Sequence, residues 1–165
     1  MKAITLWPEW AYAICHLGKR IENRGWVPPK NLGEFAIHAG KNIGGTGRSP
    51  EIDVGLMLQI ASDAGFRWGG LPYRKMSKKE MRDLIDKTIA EITALSSSIV
   101  AVANVSHVLP KRPSGIEGWH MPDSFGWVLG DVRVLSPIAC RGSQGLWEPP
   151  HLVYASIQRQ IAGIA

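Results

Sequence analysis

The sequence predicts an α+β fold: a small, mostly antiparallel β-barrel with flanking helices and a helical insertion over about 44–95. Three observations lead there. The patterned segments run strand, helix, strand, strand, two helices, then strands, which is not the alternation of a doubly wound sheet. Segment 97–109, SSIVAVANVSHVL, is apolar on both faces and β-branched, as a central strand is. The 165 residues are 45% hydrophobic and 20% charged, enough to pack one domain and too apolar for global disorder. No repeat, low-complexity run or linker divides the chain, so 1–165 reads as a single domain.

Residues 3–7 read as a short strand. Pro8 suits the first position of a helix, Trp10, Ile14 and Leu17 follow at helical spacing, and Gly18 is a natural stop. Residues 19–26 are extended and end at Pro28 and Pro29. In 34–40 the alternation places Phe35, Ile37 and Ala39 on one face, Ala36 and His38 on the other. A glycine-rich loop over 42–50 precedes a helix over 51–63 that Ser49 and Pro50 begin. A second loop, GFRWGGLPYRK, leads to the capping box SKKE at 77–80. Met81, Leu84, Ile85, Thr88, Ile92 and Leu95 then line one helical face. After strand 97–109 and the loop KRPSGIEGWHMPDS, FGWVLGDVRVL (125–135) reads as two strands with a tight turn at Gly130 and Asp131. RGSQGLWEPP reads as a loop, and a short helix starts near Pro150.

A net charge of +5 favours a polyanionic partner, nucleic acid first. The seven tryptophans are core residues or platforms for base stacking. Two cysteines, Cys15 and Cys140, permit one disulfide but do not make a secreted disulfide scaffold. The opening MKAITLWPEW lacks the apolar core and cleavage site of a signal peptide, and no stretch has the length of a membrane span. A cytoplasmic, non-membrane protein is expected.

The densest polar cluster is GKRIENRGW, 18–26. On a strand, Arg20, Glu22, Arg24 and Trp26 share a face, while Lys19, in a turn after Gly18, can swing back towards Glu22. Such a cluster in a cleft is preorganised for a polar planar ligand. Glu22 would accept from an exocyclic amine, Arg24 would meet a phosphate or carbonyl, and Trp26 would stack on a base. The competing reading is a solvated rim of weak ion pairs. His38, flanked by alanines, either lines the same pocket as donor or proton shuttle or is a structurally bonded histidine.

Other chemistry is poorly supported. The histidines and cysteines match no CxxC, HxxxH or HExxH spacing, so no metal site and no cofactor are expected. AGKNIGGTGRS is not GxxxxGK[ST], and GSQG at 142–145 is not GxSxG. Lys111 and Arg112, with Arg67, Arg74, Lys75, Lys78 and Lys79, either line a groove or keep loops soluble.

Several motifs occur together in order: AITLW, a tryptophan-bearing helix, K-x-x-E-x-R as Lys19, Glu22 and Arg24, IHAGK at 37–41, then FGWVLGDVRVL and RGSQGLW. In this combination the chain resembles the ASCH (ASC-1 homology) domain family, including its bacterial and phage members. The resemblance touches both ends of the chain and leaves 44–95 as an insertion. It implies a PUA-like β-barrel with a cleft beside the first helix that binds RNA or a modified nucleoside. Carried over, the cleft residues are Lys19, Glu22, Arg24 and His38, with Trp26 and Lys41 at the margin.

Small bacterial relatives of that family remove acetyl from N4-acetylcytidine, with threonine as the proposed nucleophile where Glu22 stands here, beside the lysine matching Lys19. A hydroxyl next to a deprotonated lysine can attack an acyl carbon; a carboxylate there favours the charged ammonium, a poor base. Pro8 and Glu9 also precede Trp10 where many relatives have Gln-Pro. The expectation is therefore an RNA or modified-nucleoside binding module. The alternative is an amidohydrolase on N4-acylated cytidine, or an RNA hydrolase, in which Lys19 and Glu22 carry the proton transfers. A third reading is an accessory domain whose basic face meets an acidic protein.

Overall fold

The computed structural model describes residues 1–44 and 47–163. Part of the glycine-rich loop, 45–46, lies outside the described residues. The chain builds β1 (Lys2–Leu6), α1 (Pro8–His16), β2 (Ile21–Arg24), β3 (Phe35–Ala39), α2 (Pro50–Asp63), a short 3-10 turn (Tyr73–Lys75), α3 (Lys78–Leu95), β4 (Ser98–Leu109), β5 (Phe125–Ala139), β6 (Leu146–Trp147) and α4 (His151–Ile161). This is the predicted α+β class. Helices α2 and α3 lie within residues 44–95.

The strands hydrogen-bond in the order β2-β5-β4-β3-β1-β6 and curl into a half-barrel. Most pairings are antiparallel, but β1 and β3 run parallel, with Ile4 opposite Ile37 and Thr5 opposite His38. A parallel pair needs a long crossover, and residues 7–34, carrying α1 and β2, supply it. The sheet is therefore mixed.

Side-chain alternation sorts the core. Phe35, Ile37 and Ala39 join Ile4, Leu6, Ile14, Ala101 and Trp127 in one cluster. Ala36 faces the other way, with Ala3, Ile99, Val102, Leu135 and Ile157 of α4. A third cluster joins Tyr12, Ala13 and Leu17 of α1 to Val54, Met57 and Leu58 of α2 and Ile92 of α3. Helix α1 is thus held between the sheet and the helical insertion, which fixes the segment leaving it. Gly18, in the left-handed region at φ 71°, ends that helix, and the Lys19 amide turns back to the Ala13 carbonyl at 3.1 Å. The capping box forms as predicted: Ser77 Oγ accepts from the Glu80 amide at 3.2 Å, and Glu80 Oε2 from the Ser77 amide at 2.7 Å.

Two expectations are corrected. Residues 125–135 form no hairpin; they belong to the single strand β5. Gly130 and Asp131 make a bulge instead of a turn. The register slips between Val102 and Asn104, Asp131 takes φ 47°, and Asn104 Nδ2 donates to Asp131 Oδ2 at 2.6 Å. A turn-like dipeptide inside a long strand was absorbed because β4 continues past it as a partner. The loop RGSQGLW also contains strand β6, where Ala3 pairs with Trp147 and Ile4 with Leu146.

Cys15 and Cys140 are both free. Burial pushes the Cys15 thiol up to about 12, and it raises that of Cys140 too. Neither is a ready thiolate.

Candidate functional site

Lys19 does swing back. Its side chain is 2% exposed, and Nζ donates to the Ile21 carbonyl and, at 3.0 Å, to Glu22 Oε2. The other carboxylate oxygen of Glu22 lies 3.0 Å from Arg24 Nε. The Arg24 Nε–H is not aimed at that oxygen, so this contact is a charge pairing without an aligned hydrogen bond. Arg24 Nη2 donates instead to the Thr5 carbonyl at 3.2 Å. A relay of amine, acid and guanidinium therefore runs from the end of α1 to β1. It is no solvated rim: Lys19 and Glu22 are both buried.

Asn23, on the opposite face of β2, anchors the long loop before β5. Its amide donates to the Trp119 carbonyl at 2.8 Å, and its carbonyl accepts from the Met121 amide at 2.9 Å and Ser124 Oγ at 3.1 Å. The face of β2 that carries Glu22 and Arg24 is left to the polar relay.

Arg24 opens onto a cleft of about 1070 Å³, lined also by Thr5, Trp7, His38, Gly40, Lys41, Ser97 and residues 139–145. Arg24, Lys41 and Arg141 contribute three cations, and no aspartate or glutamate is among the described lining residues. The indole of Trp7, 41% exposed, stands in the same lining. A recess of about 150 Å³ shares Thr5, Trp7 and Arg24 with the cleft and reaches Glu22 and Trp10. Lys19 and Glu22 also border a hollow of about 290 Å³ with Trp10, Asn23 and Arg48.

His38 is 2% exposed and sits beside Thr5 on β1, on the face that continues into the cleft. Its Nε2 lies 3.0 Å from the Cys140 carbonyl. A carbonyl only accepts, so Nε2 carries the proton and Nδ1 keeps a lone pair. Nδ1 is buried with no hydrogen-bond partner among the described residues, and burial lowers the imidazole pKa, favouring the neutral ring. The backbone of Gly142 passes directly over it. A Cβ there would sit 2.4 Å from His38 Cε1 and 2.7 Å from Thr5 Oγ1, so only glycine allows this approach. Trp147 closes the back edge-on to His38, with ring centroids 5.6 Å apart, and its Nε1 donates to Thr5 Oγ1 at 3.1 Å.

Among the sequence-derived candidates, Arg24, His38 and Lys41 line one cleft, and Lys19 and Glu22 support it from behind through Arg24. Trp26 is elsewhere. It packs edge-on against the buried Trp127 at 4.8 Å, and its carbonyl accepts from Trp127 Nε1 at 3.0 Å. Sequence reasoning missed Trp7, Thr5 and the 141–145 loop. The Arg141 charge between β5 and a glycine-flanked loop was a usable signal; nothing local distinguished Trp7 from Trp26.

Neither a known family model nor a curated protein sequence matches this chain.

Proposed function

We propose that the chain is an RNA or modified-nucleoside binding module of ASCH type on a PUA-like fold, with the 1070 Å³ cleft as its ligand site. The observation that carries this reading is the cleft's composition: three cations with no carboxylate among the described lining residues, an exposed indole, and a buried neutral imidazole. Arg24, Lys41 and Arg141 suit phosphate oxygens. Trp7 offers a stacking face for a base. His38 and the Ser143 and Gln144 side chains supply polar groups for a base edge. The ordered set Lys19, Glu22, Arg24 with IHAGK, which resembles the ASCH pattern, supports the same reading.

Fluorescence anisotropy with a four-nucleotide RNA tests it. Three phosphate contacts predict a salt slope near 2, and so a loss of about 20-fold in affinity between 0.05 and 0.2 M salt. No binding at 0.05 M, or salt-independent binding, would sink the proposal.

One observation favours a second reading. The recess that joins the cleft reaches Glu22, which lies 3.0 Å from Lys19 Nζ. That pair could serve an amidohydrolase acting on N4-acylated cytidine, with Glu22 activating a water. Incubation with acylated cytidine and chromatography of the released nucleoside decides between the two readings. Turnover that disappears in Glu22→Gln would establish the enzyme.

A further inference from the structure

A second cleft, of about 740 Å³, lies at the other end of β2. Its walls are the turn after α1, with Gly18 and Arg20, and the loop that carries Lys111, Arg112 and Trp119. Three cations face it against the single carboxylate of Glu117. Arg112 is paired with that carboxylate. Among the described residues the other two have no acidic partner. Arg20 Nη1 donates to the carbonyls of Ile14 and Lys19, both at 2.9 Å, which fixes the guanidinium while leaving its charge uncompensated. Lys111 stands over the Phe125 ring, its Nζ 5.2 Å from the centroid. Held in place by carbonyls and by a ring, these two groups form a positioned pair of cations.

β2 is an edge strand of the sheet, and Ile21 lines this cleft from one of its faces while Arg24 lines the main cleft from the other. Three steps along the strand span about 10 Å, and a single-stranded segment of several nucleotides is long enough to cover that rise and pass round the β2 edge.

We infer that the cleft formed by Arg20 and Lys111 is a second phosphodiester site, so that one RNA strand runs from the main cleft past β2 to this loop. The inference rests on the RNA-binding reading above and extends it from a nucleoside-sized ligand to a strand. The chemistry recognised is the phosphate backbone. The Arg20 and Lys111 cations select no base, so the second site adds affinity and salt dependence but no sequence preference.

The test compares RNAs of four and twelve nucleotides by anisotropy over a salt series, in wild type, Lys111→Gln and Arg20→Gln. Lys111 is exposed, with its ammonium over the Phe125 ring, so its variant should fold; Arg20→Gln is used if circular dichroism shows it native. For the twelve-mer, each variant should lower the salt slope by about 0.7, the value of one single-strand phosphate contact. Four-mer binding should not change. An unaltered twelve-mer slope in Lys111→Gln overturns this inference alone. Failure of wild type to bind either RNA overturns both this inference and the reading it extends. Lys111-dependent sedimentation with phosphatidylserine vesicles, together with RNA binding that ignores Lys111, would also overturn it and would assign the cations to a lipid surface.

Discussion

Arg24 Nη2 donates to the carbonyl of Thr5 at 3.2 Å, although β2 and β1 stand four places apart in the strand order of the sheet. The contact exists because the sheet curls. It gives the Glu22 carboxylate a bridged route to the wall of the main cleft. Several expected outcomes follow from the way this relay and the cleft are built.

Removing Glu22 should hurt more than removing an ordinary surface acid. Glu22→Ala would leave Lys19, 2% exposed, without its acid partner, and breaking a buried pair by removing one member costs about 3–5 kcal/mol. Glu22→Gln keeps the shape and an acceptor and should cost less. Urea unfolding midpoints measure both; equal and negligible losses would show that the relay contributes nothing to the fold.

Gly142→Ala should damage the cleft selectively. The new methyl meets His38 Cε1 at 2.4 Å and Thr5 Oγ1 at 2.7 Å, so the loop must move away. A stability loss of about 1–3 kcal/mol is expected, with a fall in RNA affinity of at least tenfold. Gly25→Ala, where the added carbon meets nothing within 4 Å, is the matched control and should leave binding unchanged.

The two exposed indoles should separate cleanly. Trp7→Ala removes the stacking face and should weaken binding by about 1–3 kcal/mol per stacked base with little effect on stability. Trp26→Ala should leave binding intact and lose about 0.5–1.5 kcal/mol of aromatic pairing with Trp127. If Trp26→Ala is the variant that loses RNA, the cleft has been placed on the wrong side of β2.

Two buried titrating groups give opposite pH slopes. Burial lowers the His38 pKa from 6.5, so the unfolded chain takes up a proton that the folded protein resists. Its contribution is complete above about 6.5 and falls as the pH drops towards the folded value. Burial raises the Glu9 carboxyl from 4.5, with the charge of Asp53 adding to the rise and hydrogen bonds from the Glu9 and Gly44 amides opposing it. Its contribution is complete below about 4.5 and is lost as the pH rises through the folded value. Melting curves from pH 4 to 8 should therefore show a smaller acid-side loss in His38→Gln. Glu9→Gln should gain most at the alkaline end. Variant profiles that only shift in parallel with wild type would refute both assignments.

Local chemistry was enough to read the helices and the first strands from the residues alone, though not β5 as one strand or β6. Helix starts at Pro8, Pro50 and Ser77, the stop at Gly18 and the alternation of Phe35, Ile37 and Ala39 depend on neighbours within a few positions. Lys19, Glu22 and Arg24 were legible as a group for the same reason, since one turn and one short strand hold all three. What the fold alone decided lies between distant segments. The Gly130 and Asp131 bulge depends on β4 running on as a partner. Curling of the sheet carries Arg24 to Thr5, while the parallel pairing of β1 with β3 sets His38 beside Thr5 and under Gly142. Trp7 lines the cleft and Trp26 packs on Trp127. No window of sequence contains these choices, because their energies come from packing and hydrogen bonds made only after the chain has closed on itself.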